Sequence, residues 1–209
     1  MEAFHMVLTT HNSRISARMM KYKIISENPV ELNAAEEILL TKIIADIVKE
    51  KGYRILAFNI CVDHVHLIIV CEFEELTAVL KTIKGKSAYL FNKRMREVNG
   101  LKPIGESKGD FSKGFQPIAD TTSIFNPDEH NGHLWSQKYF RANLDVWTLA
   151  ELSPKAGYLY NDSYLDNAVV YIQNNRQKHQ LPECDQLTKI IAEMTISGDE
   201  AFAFHTKEI

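Results

Sequence analysis

Apolar residues recur along this chain with two periods, and the order of those periods predicts the fold. Alternating, β-rich segments predict strands over residues 4–10, 53–61, 64–71 and 133–146. Apolar residues at helical spacing predict helices over 34–51, 74–98, 164–178 and 185–194. The order strand, helix, strand, strand, helix, strand is typical of an α+β protein with a ferredoxin-like βαββαβ antiparallel sheet. The helix over 164–178 is then an addition to the C-terminal side of this core.

The length of 209 residues suits one domain with extensions. Glycine and proline interrupt residues 99–132 without any clear period, which predicts a variable insertion. A short helical region is expected around Leu149. We therefore expect a single domain over 1–181, carrying 99–132 as its insertion, and a C-terminal tail over 182–209.

Two histidines stand two residues apart in the strand predicted over 64–71. Because side chains alternate along a strand, His64 and His66 share one face, while Val65 and Leu67 point the other way into the core. Two adjacent imidazoles are half of a metal site, although an isolated pair is more often satisfied by hydrogen bonds. A histidine-triad hydrolase would need a third histidine where this chain has Ile68.

A candidate nucleophile lies in the helix predicted over 164–178. Tyr171 and Asn175 are four residues apart and share one helix face, so a phenol and an amide oxygen can approach the histidines together. Tyr164, seven residues earlier, is the competing nucleophile, and plain packing is the commoner role of a helical tyrosine. His130 and His133 offer a second metal pair, for which a solvated polar loop is the favoured alternative.

Charge is unevenly distributed in a chain whose net charge is only -3. Basic residues concentrate in 14–23 and 81–102, whereas the residues after 183 are mainly acidic. Such basic stretches are either a phosphate-binding surface or the solvated face of a helix. No apolar run is long enough to span a bilayer, no secretion signal is evident, and Cys61 and Cys71 suit reduced, buried thiols. We expect a cytoplasmic protein without a membrane partner.

Several segments together resemble a known family. Residues 62–69 (VDHVHLII) resemble the HUH motif, histidine–hydrophobe–histidine, of single-tyrosine insertion-sequence transposases. Residues 171–181 (YIQNNRQKHQL) resemble the nucleophile helix of the REP-associated tyrosine transposases. Smaller matches are Thr9-Thr10, Lys84-Gly85, Leu134-Trp135 and Tyr139-Phe140. The shared pattern covers about 4–98 and 133–181, and Asn175 replaces the glutamine usual in the insertion-sequence branch.

The resemblance implies a transposase that cleaves and rejoins single-stranded DNA with hairpin ends. It implies that Tyr171 forms a 5′-phosphotyrosine and that His64, His66 and Asn175 hold Mg²⁺ or Mn²⁺ as cofactor. Two rival functions remain open. One is a non-catalytic protein, derived from a transposase, that binds single-stranded DNA hairpins. The other is a metal-dependent nuclease that uses water.

The resemblance also bears on DNA contacts and assembly. Lys84, Lys86 and Arg14 are the candidate DNA-binding residues. Asp63 either orients an imidazole or only closes the strand turn, with the turn favoured. Insertion-sequence relatives work as dimers in which the tyrosine helix serves the partner's histidines, whereas some REP-associated relatives work as monomers. We expect a homodimer.

Overall fold

The computed structural model describes residues 1–13, 21, 29–101, 125–144 and 164–202. The elements in these ranges are, in chain order, β1 (Glu2–Thr10), α1 (Ala34–Lys51), β2 (Arg54–Cys61), β3 (His64–Cys71), α2 (Phe73–Val98), β4 (Trp135–Asn143), α3 (Tyr164–Gln173), α4 (Asn175–Lys178), α5 (Asp185–Met194) and α6 (Gly198–Phe202). The predicted class is confirmed, since helices and one antiparallel sheet make up the fold.

The sheet has the strand order β2-β3-β1-β4, and every neighbouring pair is antiparallel. This order places β3 and β1 in the centre, as in the βαββαβ arrangement. A two-residue turn, Val62-Asp63, joins β2 to β3 and fixes their register, so that Cys61 lies opposite His64. The histidine strand is therefore a central strand with partners on both edges.

Helix α1 begins and ends where the sequence predicts, because local capping interactions fix both of its ends. Asn33 accepts a hydrogen bond from the backbone N–H of Glu36, whose carboxylate accepts one from the backbone N–H of Asn33, at 2.9 Å each. This capping box satisfies two amide groups at the start of α1. At the other end Gly52 adopts φ 64°, a left-handed conformation that glycine reaches without a Cβ clash. Both ends of α1 are thus set by local sequence.

The two faces of the sheet bury different cores. Val65 and Leu67 face a large core shared with α1 and α2, as predicted from the alternation along β3. The opposite face carries a smaller apolar cluster that includes Ile68 and Ile172 and is packed under α3. His64 and His66 belong to this second face, so the helix that carries Tyr171 covers the histidine side of the sheet.

Some predicted bounds differ from those observed. The helix predicted over 164–178 divides at Asn174, whose φ of -86° and ψ of 4° interrupt the helical geometry between α3 and α4. Helix α2 runs through Gly85 as a single element. In the predicted tail, Leu187 and Met194 of α5 pack into the large core. The region around Leu149 and most of the segment 99–132 lie outside the described residues.

Candidate active site

The two strand histidines lie at the centre of a buried polar group. His64 is 2% exposed and His66 is 7% exposed, and their ring centroids are 4.9 Å apart. Across the hairpin, Asn59 pairs with His66 and Cys61 pairs with His64, so all four side chains share one face. A rigid central strand thus presents two imidazoles side by side.

Each imidazole has one ring nitrogen engaged by a neighbour. Nδ1 of His64 lies 2.5 Å from Oδ1 of Asp63, and Nδ1 of His66 lies 3.0 Å from Nε2 of His5. Burial lowers the pKa of His5, which favours its neutral form. These partners on Nδ1 orient the two rings, as neighbouring groups commonly do for metal-binding histidines. Asp63 therefore contacts an imidazole in addition to occupying the strand turn.

Tyr171 of α3 lies beside His66 and His5. Its ring centroid is 5.6 Å from that of His66 and 6.4 Å from that of His5, and the residue is 41% exposed. Nζ of Lys178 lies 3.4 Å from the phenol oxygen and 4.7 Å from the ring centroid. The phenol is therefore open to an incoming substrate and has a cation beside it.

Asn175 occupies an unusual position on the same helical segment. It is fully buried, and within the described residues neither its amide nitrogen nor its amide oxygen has a hydrogen-bond partner. An unpaired buried amide costs about 1–3 kcal/mol, so such a group usually indicates a missing ligand or water. Two imidazoles and an amide oxygen form a donor set that suits a divalent ion. These three residues are therefore suitable ligands for the Mg²⁺ or Mn²⁺ ion that the sequence resemblance implies.

Buried polar contacts dock the Tyr171 segment onto the sheet. The guanidinium of Arg176 donates to Oε2 of Glu37 at 2.7 Å and to the carbonyl of Ile60 at 2.9 Å. Nδ2 of Asn59 donates to the carbonyls of Ile172 and Gln173 at 2.7 and 3.1 Å. These bonds join α3 and α4 to α1 and β2, and so hold the tyrosine beside the histidines.

A second donor group shares one of the histidines. Single ligand atoms of Cys61, His64 and His179 all lie within 4.8 Å of one another. Cys61 and His64 are buried, whereas His179 is exposed. In the part of the chain that the structure describes, this is the one cluster of three histidine, cysteine or acidic side chains with metal-binding spacing.

Sequence reasoning missed several of these residues. The hairpin register places Cys61 opposite His64, and the two-residue turn was the signal that could have identified it. His5, Arg176 and Glu37 come from distant parts of the chain, and no local pattern indicated their contacts.

The predicted DNA-binding residues are placed as follows. Nζ of Lys84 donates to the carbonyls of Ser136 and Gln137 at 2.7 and 3.3 Å, and burial lowers its pKa. Lys86 forms an ion pair with Glu50 of α1. Both lysines belong to α2, which packs on the sheet face opposite the histidines. Arg14 lies outside the described residues, and the DNA contacts of all three stay predictions.

The remaining candidates are also placed. Tyr164 packs against the smaller apolar cluster, whereas Tyr171 contacts the imidazoles of His66 and His5. The ring of His130 stacks on Phe125 with an interplanar angle of 7° and a centroid distance of 5.2 Å. His133 lies near His11, with ring centroids 5.2 Å apart. His130 and His133 do not form a metal-binding cluster within the described residues.

Comparison with known proteins gives a family match. The family model described as "Transposase IS200 like" matches residues 4–115, which is more than half of the chain and includes both strand histidines. Tyr171 and Asn175 lie outside the matched span. No curated protein matches the chain.

Two solved structures are similar at low sequence identity. One is described as a REP-associated tyrosine transposase bound to a REP hairpin, with 13% identity, a TM-score of 0.40 and coverage of 85% of this chain and 68% of that one. The other is described as a putative transposase from Deinococcus radiodurans R1, with 16% identity, a TM-score of 0.38 and coverage of 79% and 89%. Among the described residues, no helix is both long and apolar enough to cross a membrane.

Proposed function

This chain belongs to the IS200-like transposase family, and from that premise we propose that it cleaves and rejoins single-stranded DNA through Tyr171. The observation that carries the proposal is that a phenol, two imidazoles and a buried amide lie together on one face of the sheet. An accessible phenol contacts His66, one of two adjacent buried imidazoles, and four residues later comes a buried amide that has no hydrogen-bond partner among the described residues.

In the proposed reaction, the phenol oxygen of Tyr171 attacks phosphorus. The new bond is a 5′-phosphotyrosine, and the bond that breaks joins phosphorus to the 3′-oxygen, which leaves as a 3′-hydroxyl after taking a proton. A later attack by that hydroxyl, or by another 3′-end, restores the phosphodiester. The DNA linkage is conserved throughout, so the reaction needs no nucleotide cofactor.

The residues around the phenol support this role. A free tyrosine has a pKa of about 10, so attack at neutral pH needs a group that stabilises the phenolate. Lys178 supplies a positive charge 3.4 Å from the phenol oxygen. The docking bonds of Arg176 and Asn59 fix the segment, so that the phenol meets the substrate in one orientation.

We propose that His64, His66 and Asn175 hold Mn²⁺ or Mg²⁺. When bound, the ion supplies charge that stabilises the oxygens of the scissile phosphate. Two imidazoles favour Mn²⁺ over Mg²⁺, because Mg²⁺ prefers oxygen ligands. His5 and Asp63 contact the Nδ1 atoms of His66 and His64, so that each imidazole would bind the ion through Nε2.

The test is adduct formation on labelled single-stranded DNA hairpins in the presence of Mn²⁺, followed by denaturing electrophoresis. Wild type and Tyr164→Phe are expected to give a slowly migrating protein–DNA band, and Tyr171→Phe is expected to give none. Tyr164 is the matched control because it is a tyrosine of the same helix that packs against the apolar cluster. Cleavage by Tyr171→Phe without any band would instead indicate a nuclease that uses water, and hairpin binding without reaction would indicate a non-catalytic relative.

The homodimer stays a prediction, and the same assay tests it. A mixture of His64→Ala and Tyr171→Phe contains no chain with both groups intact. If the tyrosine helix serves a partner's histidines, the mixture regains adduct formation. If each chain completes its own site, the mixture stays as inactive as its components.

A further inference from the structure

We propose that Cys61, His64 and His179 form a second, thiolate-containing metal site that binds Zn²⁺ and, when occupied, prevents Mn²⁺ or Mg²⁺ from binding to His64, His66 and Asn175. The three ligand atoms lie within 4.8 Å of one another around the end of the β2–β3 hairpin. The inhibitory part of this proposal rests on the proposed function, whereas metal binding itself does not.

The donor set selects the metal. One thiolate and two imidazoles are typical ligands of Zn²⁺, which takes sulfur at about 2.3 Å and nitrogen at about 2.0–2.1 Å in tetrahedral geometry. Mg²⁺ prefers oxygen, and Mn²⁺ binds such sites more weakly than Zn²⁺ in the usual affinity order. Three protein ligands leave the fourth position to water.

The fold brings the ligands together from two directions. The two-residue turn fixes Cys61 opposite His64 on adjacent strands, so their positions are rigid. His179 follows α4, and its ring centroid lies 5.1 Å from that of His64. The backbone N–H of His179 donates to the carbonyl of Asn175 at 3.1 Å, which ties the exposed ligand to the docked segment.

His64 makes the two sites mutually exclusive. Its Nδ1 is held by Asp63 at 2.5 Å, so a metal ion on this residue must use Nε2. One nitrogen lone pair binds one ion at a time. An ion bound between Cys61, His64 and His179 therefore removes His64 from the set that it forms with His66 and Asn175. Zn²⁺ is expected to compete with Mn²⁺ and to suppress DNA cleavage.

The decisive experiment uses Co²⁺ as a coloured replacement for Zn²⁺, titrated into the full chain without DNA. Wild type is expected to show the near-ultraviolet thiolate-to-cobalt band and the visible bands of a tetrahedral ion, and Zn²⁺ is expected to erase them. Cys61→Ser should abolish the thiolate band. Since loss of even an outer partner weakens metal binding about 10–100-fold, His179→Gln should weaken Co²⁺ binding at least tenfold.

Two variants serve as controls. Cys71→Ser removes another buried thiol, which lies at the far end of β3. Burial raises the pKa of the Cys71 thiol to about 11. The cobalt bands should persist in this variant. His66→Asn removes a residue assigned to the other site only, and the bands should also persist. Circular dichroism checks the folding of Cys61→Ser. His179→Gln alters an exposed residue and tests the site independently of the core.

The outcomes separate this proposal from the proposed function. A wild-type chain that forms the Tyr171 adduct but shows no thiolate–cobalt band overturns the second site and leaves the transferase intact. Persistence of the band in Cys61→Ser also overturns the site. A band that depends on Cys61 and His179 supports the site even if no adduct forms on any DNA. Where both activities are present, Zn²⁺ should inhibit adduct formation by wild type far more than by Cys61→Ser.

Discussion

Removing Arg176 should destabilise the protein strongly, because it would leave Glu37 buried without its cation. Glu37 is 3% exposed, Arg176 is 13% exposed, and 2.7 Å separates their charged groups. Arg176 also donates to the carbonyls of Ile60 and Pro182. Breaking a buried pair by removing one partner typically costs about 3–5 kcal/mol. We therefore expect Arg176→Met to lower the free energy of unfolding by several kcal/mol.

The cost of leaving Glu37 without its cation, which is one part of the stability lost in Arg176→Met, has an upper limit. A carboxyl group can escape the cost of unpaired burial by taking up a proton. Protonation at pH 7, two and a half units above the ordinary pKa of 4.5, costs about 3.4 kcal/mol. The lost hydrogen bonds to the two carbonyls add about 1–2 kcal/mol. The two contributions together give an upper limit of about 4–5 kcal/mol, which lies at the top of the general range of about 3–5 kcal/mol for broken buried pairs.

The pH dependence of this loss has a defined sign. In the wild type, burial raises the pKa of Glu37, and Arg176 opposes that rise. Without Arg176 the pKa rises further above its unfolded value, so the native state binds the proton more tightly. A raised pKa contributes stability at low pH that is lost as pH increases through the folded value. The destabilisation by Arg176→Met should therefore be smaller at about pH 5 than at about pH 8.

The assay is a urea unfolding double-mutant cycle with Glu37→Met, Arg176→Met and the pair together. We expect the double variant to recover most of the stability lost in the single ones, because two apolar side chains leave no unpaired charge. Arg94→Met is the control, since it breaks an exposed ion pair and should cost less than about 1 kcal/mol. A loss below about 1 kcal/mol for Arg176→Met, or a double variant as unstable as the sum of the two single variants, would refute this reasoning.

Further predictions concern the first helix, the imidazole partners and the large core. Asn33→Ala should lower the free energy of unfolding by about 1 kcal/mol in urea titrations through loss of the capping box, and an unchanged midpoint would count against the cap. His5→Phe should weaken Mn²⁺ binding about 10–100-fold by calorimetry, because Nδ1 of His66 loses its partner, and equal affinity would argue against that role. Ser87→Ala should lower the free energy of unfolding by about 1–3 kcal/mol, because the buried indole N–H of Trp135, which donates to Oγ of Ser87 at 3.0 Å, loses its acceptor. Thermal unfolding measures this loss, and an unchanged melting temperature would count against it.

Local patterns predicted most of the fold because the deciding contacts are local. The strand His64–Cys71 and the helix Ala34–Lys51 have the predicted limits, since a two-residue turn bounds the first and a capping box with Gly52 bounds the second. The shared face of His64 and His66 follows directly from strand alternation. Where a turn or cap lies within a few residues of the element, sequence alone sets the boundary.

The support of the candidate site could not be predicted in this way. Arg176 and Glu37 lie 139 residues apart, and His5 and His66 lie 61 residues apart, so each pair exists only after the sheet and helices have assembled. No helix-breaking residue near Asn174 indicated the break between α3 and α4. Tertiary contacts, rather than periodicity, determine how the tyrosine helix meets the strand histidines.

The most direct measurement of the central claim is peptide mapping of the protein–DNA adduct by tandem mass spectrometry. After nuclease and trypsin treatment, the peptide spanning 156–176 contains four tyrosines, at positions 158, 160, 164 and 171. We predict that the nucleotide is attached to Tyr171 through a phosphate. Attachment to Tyr164, or cleavage of DNA with no modified tyrosine in the chain, would contradict the account.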